Sequence, residues 1–186
     1  MNRATIQRIS LLIAVTLLIT MLVAAAGYTY WSVFDYRFFA VTDGKVYRSG
    51  AMPIKVLENK VRKHGIRAVI DLRDPCDEVD AEHTAMGRLG VRHFSLPTEQ
   101  APAEATVKSF LQIMKNREHY PVLIHCEHGE GRSVLFSAIY RIEFENWSNE
   151  RARRASRLIL YKSSFSSDRR KGNFLHNYVP LLKSIN

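Results

Sequence analysis

The residues most able to do chemistry lie in the segment VLIHCEHGEGRS, residues 122–133. An apolar run ends at His125-Cys126, five residues follow, and Arg132-Ser133 stand where a helix is expected to open. Backbone N–H groups in so tight a loop can all point inward, and a helix N-terminus adds partial positive charge. Gly129 and Gly131 allow the backbone angles such a cradle needs. Arg132 offers a planar fork to two oxygens of one anion, which lysine could not copy. The anion this arrangement suits is a phosphate.

The same donors favour a thiolate at Cys126 over the neutral thiol. A thiolate beneath a phosphoryl group can attack phosphorus in line and form a phosphocysteine, which water later removes. Ser133 is placed to donate a hydrogen bond to the sulfur. His125 reads as structural support for the loop, while Glu127, His128, Gly129, Glu130, Gly131 and Arg132 form the expected substrate-binding set. Cys126 could be simply a small buried residue after a strand, and Cys-x5-Arg alone arises often by chance. The preceding His, the two glycines, the following Ser and the strand-loop-helix setting together make chance remote.

The elements that must hold this loop are legible from periodicity and breakers. Lys45 to Arg48 reads as a short strand ending at Ser49-Gly50. Pro53 opens a helix through His64, capped by Gly65. A buried strand is expected over 66–72, a helix over 78–89 closed by Gly90, and a strand over 91–96 stopped by Pro97. Pro102 precedes an amphipathic helix to about Arg117, with Val107, Phe110, Leu111 and Met114 on one face. Residues 121–124 form a fully apolar strand. After the loop come a helix through about Phe144, another over 148–161 and a C-terminal helix. Strands alternating with helices predict an α/β fold, a mostly parallel central sheet flanked by helices.

Of 186 residues, the first two dozen read as a leader, which leaves one ordinary domain with no repeat or Gly/Ser-rich linker dividing it. Residues 9–26 are apolar apart from Ser10, Thr16 and Thr20, long enough to cross a bilayer. The expected organisation is a signal anchor or signal peptide at 1–27, a connector at 28–44 and a catalytic-type domain at 45–186. Ala24-Ala25-Ala26 before Gly27 would suit cleavage, whereas Tyr28, Tyr30 and Trp31 would suit an interfacial belt. A retained anchor is favoured, with release of the domain after cleavage as the alternative. Arg3 and Arg8 favour a domain outside the cytoplasm; Arg37, Lys45 and Arg48 weaken that bias.

The net charge of +9 favours anionic partners. The basic runs Arg151–Arg154 and Arg169–Lys171 come without a nucleic-acid motif, so they read equally well as a solvated helix face. The two cysteines, Cys76 and Cys126, are too few for a disulfide scaffold, and neither lies in a Cys-x-x-Cys pair. No metal or other cofactor is expected.

His125-Cys126-x5-Arg132-Ser133 resembles the signature of the cysteine-dependent protein tyrosine and dual-specificity phosphatases. VYRSGAMP at 46–53, AVIDLR at 68–73, SLPT at 95–98 and YRIEFENW at 140–147 are similar to segments of small bacterial dual-specificity phosphatases. With its N-terminal apolar segment, the chain looks like the periplasmic, biofilm-regulating tyrosine phosphatases, anchored in the bacterial inner membrane. The resemblance implies the phosphatase α/β fold, a metal-free mechanism and a phosphorylated protein or other phosphomonoester as partner. It also implies that Cys76 is a possible redox partner of Cys126, beside the reading of a loop cysteine without function.

The sequence departs from that pattern at the proton donor. Such enzymes place an aspartate after the Leu-Pro strand end, yet no aspartate occurs between Asp80 and Asp168. Glu99 is the acid in that loop and takes the role of general acid, ahead of Asp71, Asp74 and Glu104. Glu127 and Glu130 would repel additional phosphates, so a singly phosphorylated target, phosphotyrosine first, is expected. The alternatives are a phospholipid or small phosphomonoester phosphatase at the membrane, and a catalytically weak phosphate-binding protein. Sulfur transfer is disfavoured by Arg132 and Ser133.

Overall fold

The computed structural model describes residues 2–157 and 164–182. The chain divides into two compact units, Met1–Tyr36 and Arg37–Asn186. The first is helical: α1 spans Arg3–Thr29 and continues as a π-helical turn, Tyr30–Phe34. One apolar helical stretch, Ile6–Phe34, is long enough to cross a membrane. Within it the Thr16 and Thr20 hydroxyls donate to the carbonyls of Leu12 and Thr16, at 2.9 Å each. These polar groups are therefore satisfied within the helix, as hydrocarbon surroundings require. The helix fits a membrane anchor or signal.

The second unit is built on a five-stranded sheet in the order β1-β2-β5-β3-β4. Its strands are β1 (Phe39–Thr42), β2 (Val46–Gly50), β3 (Ala68–Asp71), β4 (Arg92–Ser95) and β5 (Val122–Cys126). β1 pairs antiparallel with β2, and every other pairing is parallel. Sheet structure thus begins at Phe39, inside the stretch expected as a connector. The signal was weak there because β1 has four residues and one buried position.

β5 lies between β2 and β3, is buried at every position and ends at Cys126. Its continuous apolar run reflects cover on both faces, the usual condition of a central parallel strand. The helices are α2 (Ile54–His64), α3 (Asp77–Arg88), α4 (Glu104–Lys115), α5 (Arg132–Phe144), α6 (Asn149–Ala155) and α7 (Arg170–His176). α2 and α3 end where Gly65 and Gly90 were expected to stop them, both at positive φ. α4 stops earlier than predicted, and a 3₁₀ turn follows at Arg117–His119. α6 is shorter than the expected helix, whose residues 158–161 lie outside the described segments.

α5 is the central helix. Leu135, Phe136 and Ile139 are fully buried, and Phe136 meets Phe110 of α4 edge-on at 4.9 Å between centroids. Such burial contributes about 1.5–3 kcal/mol per side chain, and it fixes α5 where its N-terminus must meet the loop. The C-terminal segment is latched to the same helix. The buried Glu143 carboxylate accepts from Tyr178 Oη at 2.5 Å, Leu181 N at 2.7 Å and Leu182 N at 3.1 Å. Burial and the adjoining Glu143 push the Tyr178 phenol well above its ordinary range.

Candidate active site

Cys126 sits at the C-terminal end of the middle strand, beside Gly50 of β2, and the loop after it leads into Arg132 at the start of α5. Parallel sheets bind ligands in this place, outside the carboxyl ends of the strands. The Cys126 thiol is buried and lies 3.4 Å from Ser133 Oγ. Ser133 is itself fully buried. Gly129 has φ +70°, and a Cβ there would lie 2.5 Å from the nitrogen of Gly50. Both the angle and the close approach of β2 exclude any other residue. Gly131 differs: its φ is −118°, and what a Cβ would meet is Lys171 Nζ at 3.2 Å.

A cavity of about 720 Å³ opens over the loop. Cys126, Glu127, His128, Glu130, Gly131 and Arg132 line one side, and Asp74, Thr98, Glu99 and Gln100 another. Arg132 donates through Nη1 to the carbonyl of Leu72 at 2.7 Å and lies 3.7 Å from Asp74 Oδ2. Glu99 is exposed at the cavity wall, so the structure brings the expected acid and nucleophile to one opening. Asp74 joins them there, from the loop that follows β3 rather than the Leu-Pro loop. Asp71 does not: it is fully buried. Glu104 is the first residue of α4, paired with Lys108 at 2.6 Å. Cys76 is the exposed N-cap of α3, is absent from the cavity lining, and both thiols are free.

The sequence reading missed two contributors. The first is the C-terminal basic run. Arg170 and Lys171, at the start of α7, also line the cavity. They arrive there because Gly172 packs directly on the backbone of Phe165 and Ser166, where a Cβ would lie 1.9 Å from the Ser166 carbonyl oxygen. Lys171 Nζ donates to Gln100 Oε1 at 3.3 Å. Burial pushes the Lys171 ammonium below the ordinary lysine range; the Cys126 sulfur opposes this and Arg132 adds to it. No local pattern distinguished this run from the other one. There, Arg151 stacks on Trp147, and Arg153 pairs with Glu150 at 2.8 Å.

The second is a buried charge network behind the loop. Arg73 bonds Asp71 Oδ2 at 2.7 Å and Glu82 Oε2 at 2.6 Å. His125 Nε2 lies 2.9 Å from Glu82 Oε1. His93 Nε2 is 3.2 Å from the same oxygen. Burial opposes ionisation of Glu82, yet His125, His93 and Arg73 outweigh it and hold this carboxyl well below the usual range. Asp71, Glu82, His93 and His125 offer atoms within 4.8 Å of one another, as a metal site would. The Arg73 guanidinium already occupies both carboxylates, supplying the positive charge an ion would bring. Glu82 was detectable in principle: it interrupts the apolar stripe Val79, Glu82, Met86 of α3, and all three are buried.

Comparison with known proteins agrees with this geometry. A family model described as DSP-PTPase phosphatase fused to NAD+ kinase matches residues 41–172. The chain belongs to this family of dual-specificity and tyrosine phosphatases. Dual specificity protein phosphatase TpbA of Pseudomonas aeruginosa is 39% identical over 75 residues, which is 39% of this chain and 34% of that protein. The chain thus matches about a third of the length of this curated relative. The crystal structure of TpbA superposes with a TM-score of 0.59 at 25% identity, covering 73% of this chain and 81% of that one. The catalytic core of the PP-IP phosphatase Siw14 of S. cerevisiae has the same fold, with a TM-score of 0.63 at 20% identity over 80% of this chain and 89% of that one.

Proposed function

We propose that the protein hydrolyses phosphomonoesters through a phosphocysteine, with phosphotyrosine in proteins as its principal substrate. The observation that carries this reading is the buried Cys126 sulfur, 3.4 Å from Ser133 Oγ, at the floor of a cavity that Arg132 also lines. In the first step the Cys126 thiolate attacks phosphorus. The S–P bond forms, the P–O bond to the leaving group breaks, and Glu99 gives its proton to the departing oxygen. In the second step water attacks phosphorus, the S–P bond breaks, and the Glu99 carboxylate takes the proton of the water. Ser133 stabilises the departing thiolate. Arg132 and the loop amides hold the phosphoryl oxygens throughout.

Glu99 is favoured over Asp74 because Asp74 already lies beside Arg132, where its charge competes with phosphate for the guanidinium. A crystal structure of a cysteine-to-serine variant of TpbA in complex with phosphotyrosine supports the substrate class. The apolar N-terminal helix supports attachment to the bacterial inner membrane, with the catalytic unit in the periplasm.

The test is a substrate panel on the full chain in detergent, comparing phosphotyrosine peptides, phosphoserine peptides and phospholipid monoesters. Phosphotyrosine should be hydrolysed fastest, and Cys126→Ser should abolish turnover of all three. Preference for the phospholipid would replace the substrate assignment, and activity surviving in Cys126→Ser would end the mechanism.

A further inference from the structure

A loop that binds phosphate through its amides must keep its carbonyl oxygens away from the anion. In a trans peptide the C=O and the following N–H point in opposite directions. Whatever holds a carbonyl from outside therefore aims the next amide inward. Four consecutive carbonyls of the loop are held in this way. The amide of Ala51 donates to Cys126 O at 2.8 Å and Glu127 O at 3.1 Å. Arg37 Nη1 donates to His128 O at 3.0 Å. Arg48 Nη1 donates to Gly129 O at 3.0 Å.

We propose that Arg37 and Arg48 are positioning residues that strap the His128 and Gly129 carbonyls outward, and so aim the amides of Gly129 and Glu130 at a bound phosphoryl group. The inference rests on the phosphate-binding reading of the cavity. Neither arginine lines that cavity among the described residues. Each acts from behind the loop and from far along the chain, at separations of 91 and 81 residues.

Both are themselves fixed. Arg37 Nη2 pairs with Glu130 Oε1 at 2.7 Å, so one side chain grips the loop at two points. Its backbone has φ 53°, an uncommon conformation for a residue with a side chain, which the surrounding contacts must maintain. The Arg48 guanidinium lies over the Phe39 ring, 5.1 Å from its centroid. Burial and the nearby Arg141 lower Arg48 to about 10, so it stays charged at neutral pH, and the Cys126 sulfur favours that charge. Arg37 directly follows the unit Met1–Tyr36 in the chain.

The test uses orthovanadate, a phosphate mimic, whose dissociation constant is measured on the full chain in detergent. Arg37→Ala and Arg48→Ala should each weaken vanadate binding by about tenfold or more, the loss of one directed, charge-assisted contact. Alkylation of Cys126 by iodoacetamide at neutral pH should slow in both. Arg37→Lys keeps a positive charge for the ion pair but lacks the fork that also reaches the His128 carbonyl, so it should lose nearly as much as Arg37→Ala. Equal affinity in wild type and both alanine variants would overturn the proposal. Wild-type affinity in Arg37→Lys would show that the ion pair, not the carbonyl strap, matters, and would overturn the role of Arg37. Failure of the wild type to bind vanadate would instead end the reading of the cavity itself. If Arg48→Ala does not fold, Arg48→Lys carries the test. It keeps the charge without the fork, so unchanged vanadate affinity would overturn the role of Arg48.

Discussion

Behind the Cys126–Arg132 loop, Asp71, Arg73, Glu82, His93 and His125 bury their polar atoms against one another, whereas around the mouth Asp74, Glu99, Glu127 and Arg170 stand exposed. The two sets hold similar residue types and lie on either side of one loop. In the buried set each charge depends on its partners, because an uncompensated charge there would cost several kcal/mol. In the exposed set solvent screens each charge, and a side chain can change with little effect on folding. On the proposed mechanism the floor keeps the loop in place, and the rim admits the substrate and protonates the leaving group.

The largest effect expected concerns neither set but the sulfur between them. Cys126→Ser should reduce hydrolysis of an aryl phosphate by at least about a thousandfold, measured at saturating substrate. Glu82→Ala should next destabilise the fold by about 3 kcal/mol in denaturant titration, since it leaves Arg73 and two histidines without their shared carboxylate. Glu99→Ala should stay within about 0.5 kcal/mol of wild type in the same titration. Equal costs for the two substitutions would break the contrast between floor and rim.

Glu99→Gln should instead appear in catalysis. We expect about a hundredfold loss on alkyl phosphates and a smaller loss on aryl phosphates with good leaving groups. An effect that is the same for both leaving groups would remove Glu99 from the proton-donor role, and Asp74→Asn would then be the variant to measure.

A smaller effect should appear in the pH dependence of stability. Glu82 is held below its ordinary value in the folded protein. The folded state therefore binds fewer protons than the unfolded state as pH falls below about 4.3. The stability from ionised Glu82 is present above that value and is lost below it. The melting temperature of the wild type should thus fall more steeply between pH 5 and pH 3, each about one unit from that midpoint, than that of Glu82→Gln. Parallel acid limbs would show that the network does not favour the charged carboxylate. The smallest effect belongs to Cys76, which is exposed and outside the cavity lining. Cys76→Ser should lose activity in peroxide at the wild-type rate, and faster loss would establish a protective disulfide with Cys126.

The resemblance carried by the loop and by four other short segments pointed to the family that the chain belongs to, and the alternation of apolar runs pointed to its sheet. Those features are contiguous in the chain, so their residue types and spacing already describe their geometry. The loop is a strand end, a tight turn and a helix start within residues 122–133. Glu82 was half legible, as a charge at an apolar position of α3, but its partners His93 and His125 come from β4 and β5.

Arg37, Arg48, Arg170 and Lys171 were not legible as parts of the site. Read along the chain they were charges bearing on topology or on a solvated face. Folding brings Arg37, just before β1, and Arg48 of β2 against the loop, and packing at Gly172 brings Arg170 and Lys171 over it. Local sequence determined which groups the proposed chemistry uses, because their types and spacing are contiguous within one strand-loop-helix segment. Tertiary structure alone decided which distant charges hold and surround those groups, because Coulombic and hydrogen-bonded contacts depend on distance in space and not on separation along the chain.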